Sequence, residues 1–228
     1  MKKILYIVFA GYLITSCSGL PIQTKAEAFP GMYDDRKPLS VLVIPAINNT
    51  TAAEATDYFN VTITEPLSNV GYYTMPVEIV KDIFLNEGIV DSTMIKGLPT
   101  AVFKKNFGAD AVLFVTINKW EKNYIIISGN VTVSMDYVML STETNEIIWQ
   151  YSATQVVNTS AESSGFLIAD LISTAITTAT TDYVPIAKQV NYQAFVALPH
   201  GGYSTQHGLD RDQNISTILK DAALEEDL

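Results

Sequence analysis

Two histidines and one pair of adjacent carboxylates are the residues whose chemistry could support catalysis. His200 and His207 lie in a glycine-rich stretch near the C-terminus, and Asp34 and Asp35 lie in an N-terminal segment without a regular hydrophobic period. A histidine base needs neighbouring groups that orient its ring, and no nucleophile elbow, phosphate-binding loop or dinucleotide fingerprint occurs in the sequence. We therefore predict that the chain is not an enzyme and uses no cofactor.

The C-terminal residues carry one pattern of potential metal ligands. Acidic, amide and hydroxyl residues alternate over 210–216 and Asp221 stands twelfth, which is the ligand spacing of a calcium-binding loop. Such a loop requires glycine at its sixth position and glutamate at its twelfth, where this chain has Ile215 and Asp221. We predict an acidic, solvated segment and no metal site.

The single cysteine offers the most specific chemistry. Cys17 follows an apolar run of 11 residues, Ile4–Ile14, which is shorter than the roughly 20 residues that a membrane-spanning helix needs. The residues Ile14-Thr15-Ser16-Cys17 resemble the lipobox of bacterial lipoproteins, in which the cysteine is acylated and becomes the mature N-terminus. We predict a lipoprotein signal peptide over residues 1–16 and lipidation, with palmitate among the acyl chains, at Cys17. A secretory peptide with a chance cysteine and an N-terminal hydrophobic strand are the alternatives.

Charge and composition indicate which partners the chain can have. The formal net charge is −10, from 14 basic and 24 acidic residues, which excludes a nucleic-acid binder because such proteins cluster Lys and Arg against phosphate. An acidic body is repelled by anionic headgroups, so the bilayer is reached through acylated Cys17. Ser18, rather than aspartate, follows the cysteine. By resemblance to known sorting rules, this residue predicts the outer membrane, with the domain facing the periplasm.

Apolar periodicity over the rest of the chain predicts an α/β fold. Continuous apolar runs are typical of buried strands, and runs in which apolar and polar residues alternate are typical of a hairpin. Apolar residues that recur every three to four positions are typical of helices. We expect a single α/β sandwich domain with a mixed sheet, a long antiparallel hairpin and two C-terminal helices. Gly108 is expected to end a helix in the left-handed conformation. The predicted strands are 40–45, 72–75, 111–115 and the hairpin 124–140 with 147–157; the predicted helices are 51–69, 76 to before 88, 99–107, 164–180 and 184–197.

Domain organisation follows from the same patterns. We predict a signal peptide over 1–16, a lipidated tether over 17–38, the α/β domain over 39–203 and an acidic C-terminal tail over 204–228. Within the tail, one apolar stripe has helical spacing and is expected to order by packing into a groove, on this domain or on a second copy. A frayed, solvated end is the alternative. The stripe consists of Ile215, Ile218, Leu219 and Ala222.

Three segments resemble one known family. They are Ser-Val-Leu-Val-Ile-Pro-Ala-Ile-Asn-Asn-Thr at 40–50, Asn-Phe-Gly-Ala-Asp-Ala-Val-Leu-Phe at 106–114 and Leu-Pro-His-Gly-Gly-Tyr at 198–203. Together they are similar to outer-membrane lipoproteins of unknown function typified by a meningococcal surface-antigen candidate. Gly202 departs from the family's Leu-Pro-x-Gly-Pro-Tyr. The family is in turn similar to the curli-secretion-channel lipoproteins, the N-terminal domain of the Tol translocation protein and the lipoprotein activators of penicillin-binding proteins.

The resemblance implies a lipid-anchored protein that faces the periplasm and works by binding other envelope proteins. We expect a scaffold component of an envelope assembly or secretion apparatus, with a homo-oligomer possible and with no catalytic residues carried over. A pore-forming subunit of a curli-channel-like secretion complex is the alternative. It is suggested by hairpin strands whose alternation is typical of membrane-spanning strands.

Overall fold

A mixed sheet of six strands forms the centre of the molecule. The computed structural model describes residues 23–34, 37–124, 129–158 and 183–215. The strand order is β3-β1-β4-β5-β6, and the short β2 also pairs with β4. The strands are β1 Ser40–Val43, β2 Ile47–Asn48, β3 Tyr73–Thr74, β4 Ala111–Tyr124, β5 Gly129–Ser141 and β6 Ile147–Asn158.

The sheet combines a parallel half with an antiparallel half. β1 is parallel to β3 and to β4, whereas β5 is antiparallel to both β4 and β6. Parallel neighbours need long crossovers, and the helices between β1 and β4 supply them. The predicted mixed sheet with a long antiparallel hairpin is confirmed.

Helices cover both faces of the sheet, which confirms the α/β class. A break at Ile63 separates the helix Ala55–Thr62 (α2) from the helix Thr64–Asn69 (α3), because a proline ring at position 66 would clash with the carbonyl group of Thr62. Among the described residues, no helix combines the length and the apolar character needed to cross a bilayer. The helices are α1 Lys25–Ala28, α2 Ala55–Thr62, α3 Thr64–Asn69, α4 Val77–Asn86, α5 Ala101–Phe107 and α6 Val184–Val196, with 3₁₀ turns at Pro30–Met32 and Ser92–Met94.

Alternation along the strands produces two cores. Successive strand residues point to opposite faces, so neighbours in β1 enter different cores. The larger core joins Val41, Val43 and Leu113 to Phe59, Leu67, Ile186 and Phe195 of α2, α3 and α6. The smaller core joins Leu42, Val112 and Phe114 to Val80, Phe84 and Phe103 of α4 and α5.

β4 is much longer than the predicted strand 111–115. The register shifts between Ile117 and Lys119, so the strand contains a bulge. Ile117 and Trp120 are consequently both buried although three positions separate them. A bulge adds one residue to a strand, so the residues that face the core change from odd to even positions. The regular alternation that identifies a strand in the sequence is therefore interrupted. The predicted helix 164–180 lies outside the described residues.

Candidate functional site

The first and last described segments of the chain pair with each other. We call residues 23–26 and 211–215 the terminal clip. Thr24 and Asn214 form an antiparallel bridge within it. The segment 23–34, predicted as part of a tether, is therefore in contact with the domain. The clip's backbone bonds run from Lys25 N to Gln213 O (2.9 Å), Ala26 N to Arg211 O (3.1 Å) and Ile215 N to Gln23 O (3.0 Å).

A capping box positions the N-terminal half of the clip. The Thr24 side chain accepts a hydrogen bond from the Glu27 N–H, and the Glu27 carboxylate accepts one from the Thr24 N–H at 2.9 Å. Donation from the Thr24 N–H and from the Thr24 hydroxyl group to this carboxylate holds the pKa of Glu27 below its usual value. The box caps the N-terminus of the short helix α1, and Lys25, the first residue of this helix, is buried.

Lys25 and Asp210 form a buried ion pair beneath the clip. Their side chains are 2% and 1% exposed, and Nζ lies 3.4 Å from Oδ2. The ammonium group also donates to the carbonyl oxygens of Leu198 (3.3 Å) and Val196 (3.4 Å), at the end of α6. Burial lowers the pKa of Lys25, and the Asp210 charge opposes that shift. The pair thus fastens both segments of the clip to the end of α6.

Two tyrosines surround the same carboxylate. Burial, followed by the negative charge of Asp210, raises the pKa of Tyr33 and of Tyr72. The Tyr72 hydroxyl donates to the carbonyl oxygen of Pro199 at 2.6 Å. The Arg211 guanidinium group lies 5.0 Å from the centre of the Tyr33 ring. Both phenols therefore remain neutral at physiological pH and contribute packing and hydrogen bonding rather than charge.

The two histidines considered as bases lie in the turn that follows. His200 N donates to Asp210 Oδ2 at 2.9 Å, and His207 Nδ1 lies 2.6 Å from the carbonyl oxygen of His200. The turn packs so closely on Gly71 that a Cβ atom at Gly201 would collide with the Gly71 carbonyl group. These contacts give the Leu-Pro-His-Gly-Gly-Tyr segment a structural role at the clip.

Strand directions give the domain two distinct ends. β1, β4 and β6 begin at the end that carries the clip, where the Phe29 ring lies 6.5 Å from Trp149 of β6. We call this end the base. β4 and β6 run towards the opposite end, where α6 begins and Trp120 packs against Tyr183. We call it the far end. Trp120 lies nine residues after Ala111, which is roughly 30 Å along β4 at about 3.3 Å per residue.

A cleft of about 190 Å³ opens beyond the carboxyl end of β1, on the side of that strand away from the clip. It lies between the strand end and the segment that contains α4 and the following loop. Its lining includes Ala46, Lys81, Phe84, Leu85, Val90 and Asp91.

The structure brings some of the predicted site residues together and leaves others aside. Ile215, the first residue of the predicted tail stripe, belongs to the clip, whereas Ile218, Leu219, Ala222 and the lipidation site Cys17 lie outside the described residues. Asp210, first in the calcium-like pattern, pairs with Lys25. Sequence reasoning did not identify Lys25; the Thr-x-x-Glu spacing at 24–27 was the available signal.

Comparison with known proteins identifies the family. The family model described as "Putative lipoprotein GNA1162-like" matches residues 31–204, which is more than half of the chain. The chain belongs to this family. The resemblance predicted from the three sequence segments is thereby confirmed. Lys25 and Asp210 both fall outside the matched residues, so the clip extends the part of the fold that the family model covers.

Two proteins from Neisseria meningitidis agree with this assignment. The protein described as "Putative lipoprotein NMB1124/NMB1162", from Neisseria meningitidis serogroup B, is 24% identical over 205 residues, which cover 89% of this chain and 94% of that protein. The crystal structure of lipoprotein GNA1162 from Neisseria meningitidis matches with 27% identity and a TM-score of 0.52, over 61% of this chain and 96% of that chain. A PelC dodecamer from Paraburkholderia phytofirmans matches with 11% identity and a TM-score of 0.45, over 72% and 88% of the two chains.

Proposed function

We propose that the protein is a periplasm-facing outer-membrane lipoprotein that binds other envelope proteins as a scaffold. Its anchor is the acylated Cys17, and its α/β domain carries no reaction of its own. Membership of a lipoprotein family supports the anchor. The observation that supports the orientation is the terminal clip, which fixes the first described residues to the base of the domain.

The clip limits how far the domain stands from the membrane. Six peptide units separate Cys17 from Gln23, and a fully extended chain spans at most about 3.6 Å per residue, which gives roughly 20 Å. The base is therefore held close to the lipid surface. A free tether of about 20 residues would let the domain tumble over a comparable or larger distance. With the clip closed, the far end points away from the bilayer.

A far end directed away from the anchor suits recognition of a partner in the periplasm. The titratable groups gathered at the base are engaged with one another and with backbone carbonyl groups, so they fix position rather than perform chemistry. Binding is accordingly assigned to surfaces between β1's carboxyl end and the far end.

The anchor is tested by Cys17→Ser with metabolic labelling by an alkyne fatty acid. We expect loss of label and accumulation of unprocessed precursor. Normal processing and membrane attachment of this variant would contradict the proposal.

The choice of membrane is tested separately by Ser18→Asp, with separation of the two membranes on a density gradient. We expect the label to remain and the protein to move from the outer to the inner membrane. An unchanged distribution would contradict the assignment to the outer membrane while leaving the anchor intact.

A further inference from the structure

The cleft beyond β1 lies at the point where the chain's crossovers diverge. The connection from β1 to β3 runs through α2 and α3 on the face of the larger core, whereas the connection from β3 to β4 runs through α4 and α5 on the face of the smaller core. Between two crossovers that leave on opposite faces, a gap remains beside the carboxyl end of the strand, and the cleft occupies this gap. This is the position at which open α/β sheets bind their ligands.

The size of the cleft restricts what can enter. Its volume of about 190 Å³ corresponds to roughly six water molecules, at about 30 Å³ each. Cofactor and drug-sized pockets begin near 300 Å³, so the cleft has room for one side chain. Its walls include Ala46 and Phe84, which are buried, and Leu85 and Val90, which are 47% and 76% exposed. An apolar side chain would cover this surface.

The charged groups that line the cleft, Lys81 and Asp91, together with the ion-pair partners of Lys81, are predominantly negative. Lys81 Nζ lies 3.2 Å from Asp57 Oδ1 and 3.9 Å from Glu78 Oε2, so two carboxylates face one ammonium group. Asp91, which also lines the cleft, accepts a hydrogen bond from Thr93 N at 2.7 Å. Hydrogen bonds from the Thr93 side chain and from the Thr93 N–H hold the pKa of Asp91 below its usual value and keep it ionised. The mouth therefore favours a cationic neighbour.

We infer that this cleft is the anchor pocket for a protein partner, and that it receives one apolar side chain flanked by Lys or Arg. The apolar side chain fills the space between Phe84, Leu85 and Val90, and the flanking cations meet Asp57, Glu78 and Asp91. The inference rests on the proposed binding function and specifies the surface through which this protein would bind its partner. It also specifies the partner's chemistry, because hot spots of protein interfaces are buried anchors surrounded by complementary charge.

The test uses the purified lipoprotein in detergent micelles and three peptides with blocked ends, Lys-Phe-Lys, Glu-Phe-Glu and Lys-Ser-Lys. Saturation-transfer NMR measures how strongly the protein contacts the phenylalanine ring protons, or the serine protons of the third peptide. We expect a signal from Lys-Phe-Lys that exceeds that of Glu-Phe-Glu by about fivefold, from exposed charge pairs of up to about 1 kcal/mol. Lys-Ser-Lys, without the apolar anchor, should give a signal at the level of empty micelles.

Two variants of α4 and its following loop locate the contact. The double change Leu85→Ser with Val90→Ser should reduce the Lys-Phe-Lys signal to that of empty micelles, since it removes the apolar mouth. The matched control Ile79→Ser removes a side chain from the same helix that is 51% exposed and does not line the cleft, and it should leave the signal unchanged.

Three outcomes would overturn the inference. They are the absence of a phenylalanine signal, equal signals from the cationic and anionic peptides, and an undiminished signal from the double variant. Peptide binding does not depend on acylation. A chain that binds the peptide but is not acylated refutes the anchor alone, and a chain that is acylated but does not bind refutes the pocket alone.

Discussion

The Asp110 carboxylate accepts hydrogen bonds from both the backbone N–H and the hydroxyl group of Ser40, at 3.0 and 2.9 Å. The Ser40 hydroxyl group in turn accepts from the Asp110 N–H at 3.0 Å. Lys104 forms an ion pair with the same carboxylate. These contacts join the first residue of β1 to the residue before β4 and to the end of α5. They give the Gly-Ala-Asp part of the family segment at 106–114 a physical role.

Replacing Asp110 with asparagine should weaken the domain in a pH-dependent manner. Burial alone would raise the pKa of Asp110, but Lys104 and the donors at Ser40 lower it below 3.8. A carboxylate with a lowered pKa stabilises the fold above the unfolded pKa, and this contribution is lost as the pH falls through the folded value. Urea unfolding should therefore show a clear deficit for the variant at pH 7 and a smaller one near pH 3. Asp82→Asn, at an exposed position of α4, is the control, and a deficit independent of pH would contradict the assignment.

Replacing Lys25 with methionine should be among the most damaging single changes. It leaves the Asp210 carboxylate buried without a counter-charge, and such losses cost about 3–5 kcal/mol. The double variant Lys25→Met with Asp210→Asn removes the unpaired charge and should recover part of the stability. Lys119→Met, which breaks the exposed pair with Glu121, should cost at most about 1 kcal/mol. Equal losses for Lys25→Met and Lys119→Met in denaturant unfolding would contradict the role assigned to the clip.

Gly108→Val should lower the melting temperature through backbone strain alone. Gly108 ends α5 at φ 69°, as predicted, and a Cβ atom there would meet no atom within 4 Å. A β-branched residue in this conformation costs on the order of 1–3 kcal/mol. Asparagine tolerates the left-handed region, so Gly108→Asn should lose distinctly less stability. Equal melting temperatures for the two variants would show that strain is not the cause.

The predicted tail stripe calls for a deletion that spares the clip. Removing residues 204–228 would also remove Asp210, so the informative truncation removes 216–228 and with it Ile218, Leu219 and Ala222. If the stripe docks on its own domain or on a second copy, the truncated protein should melt several degrees lower or lose mass in light scattering. Unchanged melting and mass over a wide concentration range would identify the tail as a solvated end.

Local patterns predicted the buried runs of β1 and β4 and the left-handed glycine. Residues 41–43 and 111–115 are buried on both faces, and such strands are uniformly apolar whatever their neighbours are. The predicted strand 124–140 begins too early, because Tyr124 belongs to β4 and pairs with Gly129, where β5 begins. The full length of β4 could not be read in the same way. Beyond Thr116 one face of the strand is exposed to solvent, and the bulge interrupts the alternation of apolar and polar residues. Without that alternation, the sequence of this part of β4 cannot be distinguished from that of a loop.

The ion pair at the base could not be predicted from either of its partners. Lys25 stands in a segment with no hydrophobic period, Asp210 stands in an acidic stretch, and 185 positions separate them. Composition assigns both segments to solvent because charged residues are usually exposed. Both side chains are buried only when the end of α6 and the turn at 198–203 pack against the segment that contains Lys25. This tertiary contact cannot be inferred from the residues that neighbour either partner in the sequence.

The separation of Lys25 and Asp210 also sets an order of events during synthesis. Ribosomes add about 5–20 residues per second, so Asp210 is made roughly 10–40 s after Lys25. Throughout that interval Lys25 lacks Asp210, and the clip cannot close before residue 215 has been made. A chain that ends before residue 210 retains the sheet residues but never acquires this ion pair. Closure of the clip therefore separates chains that reach residue 215 from chains that end earlier.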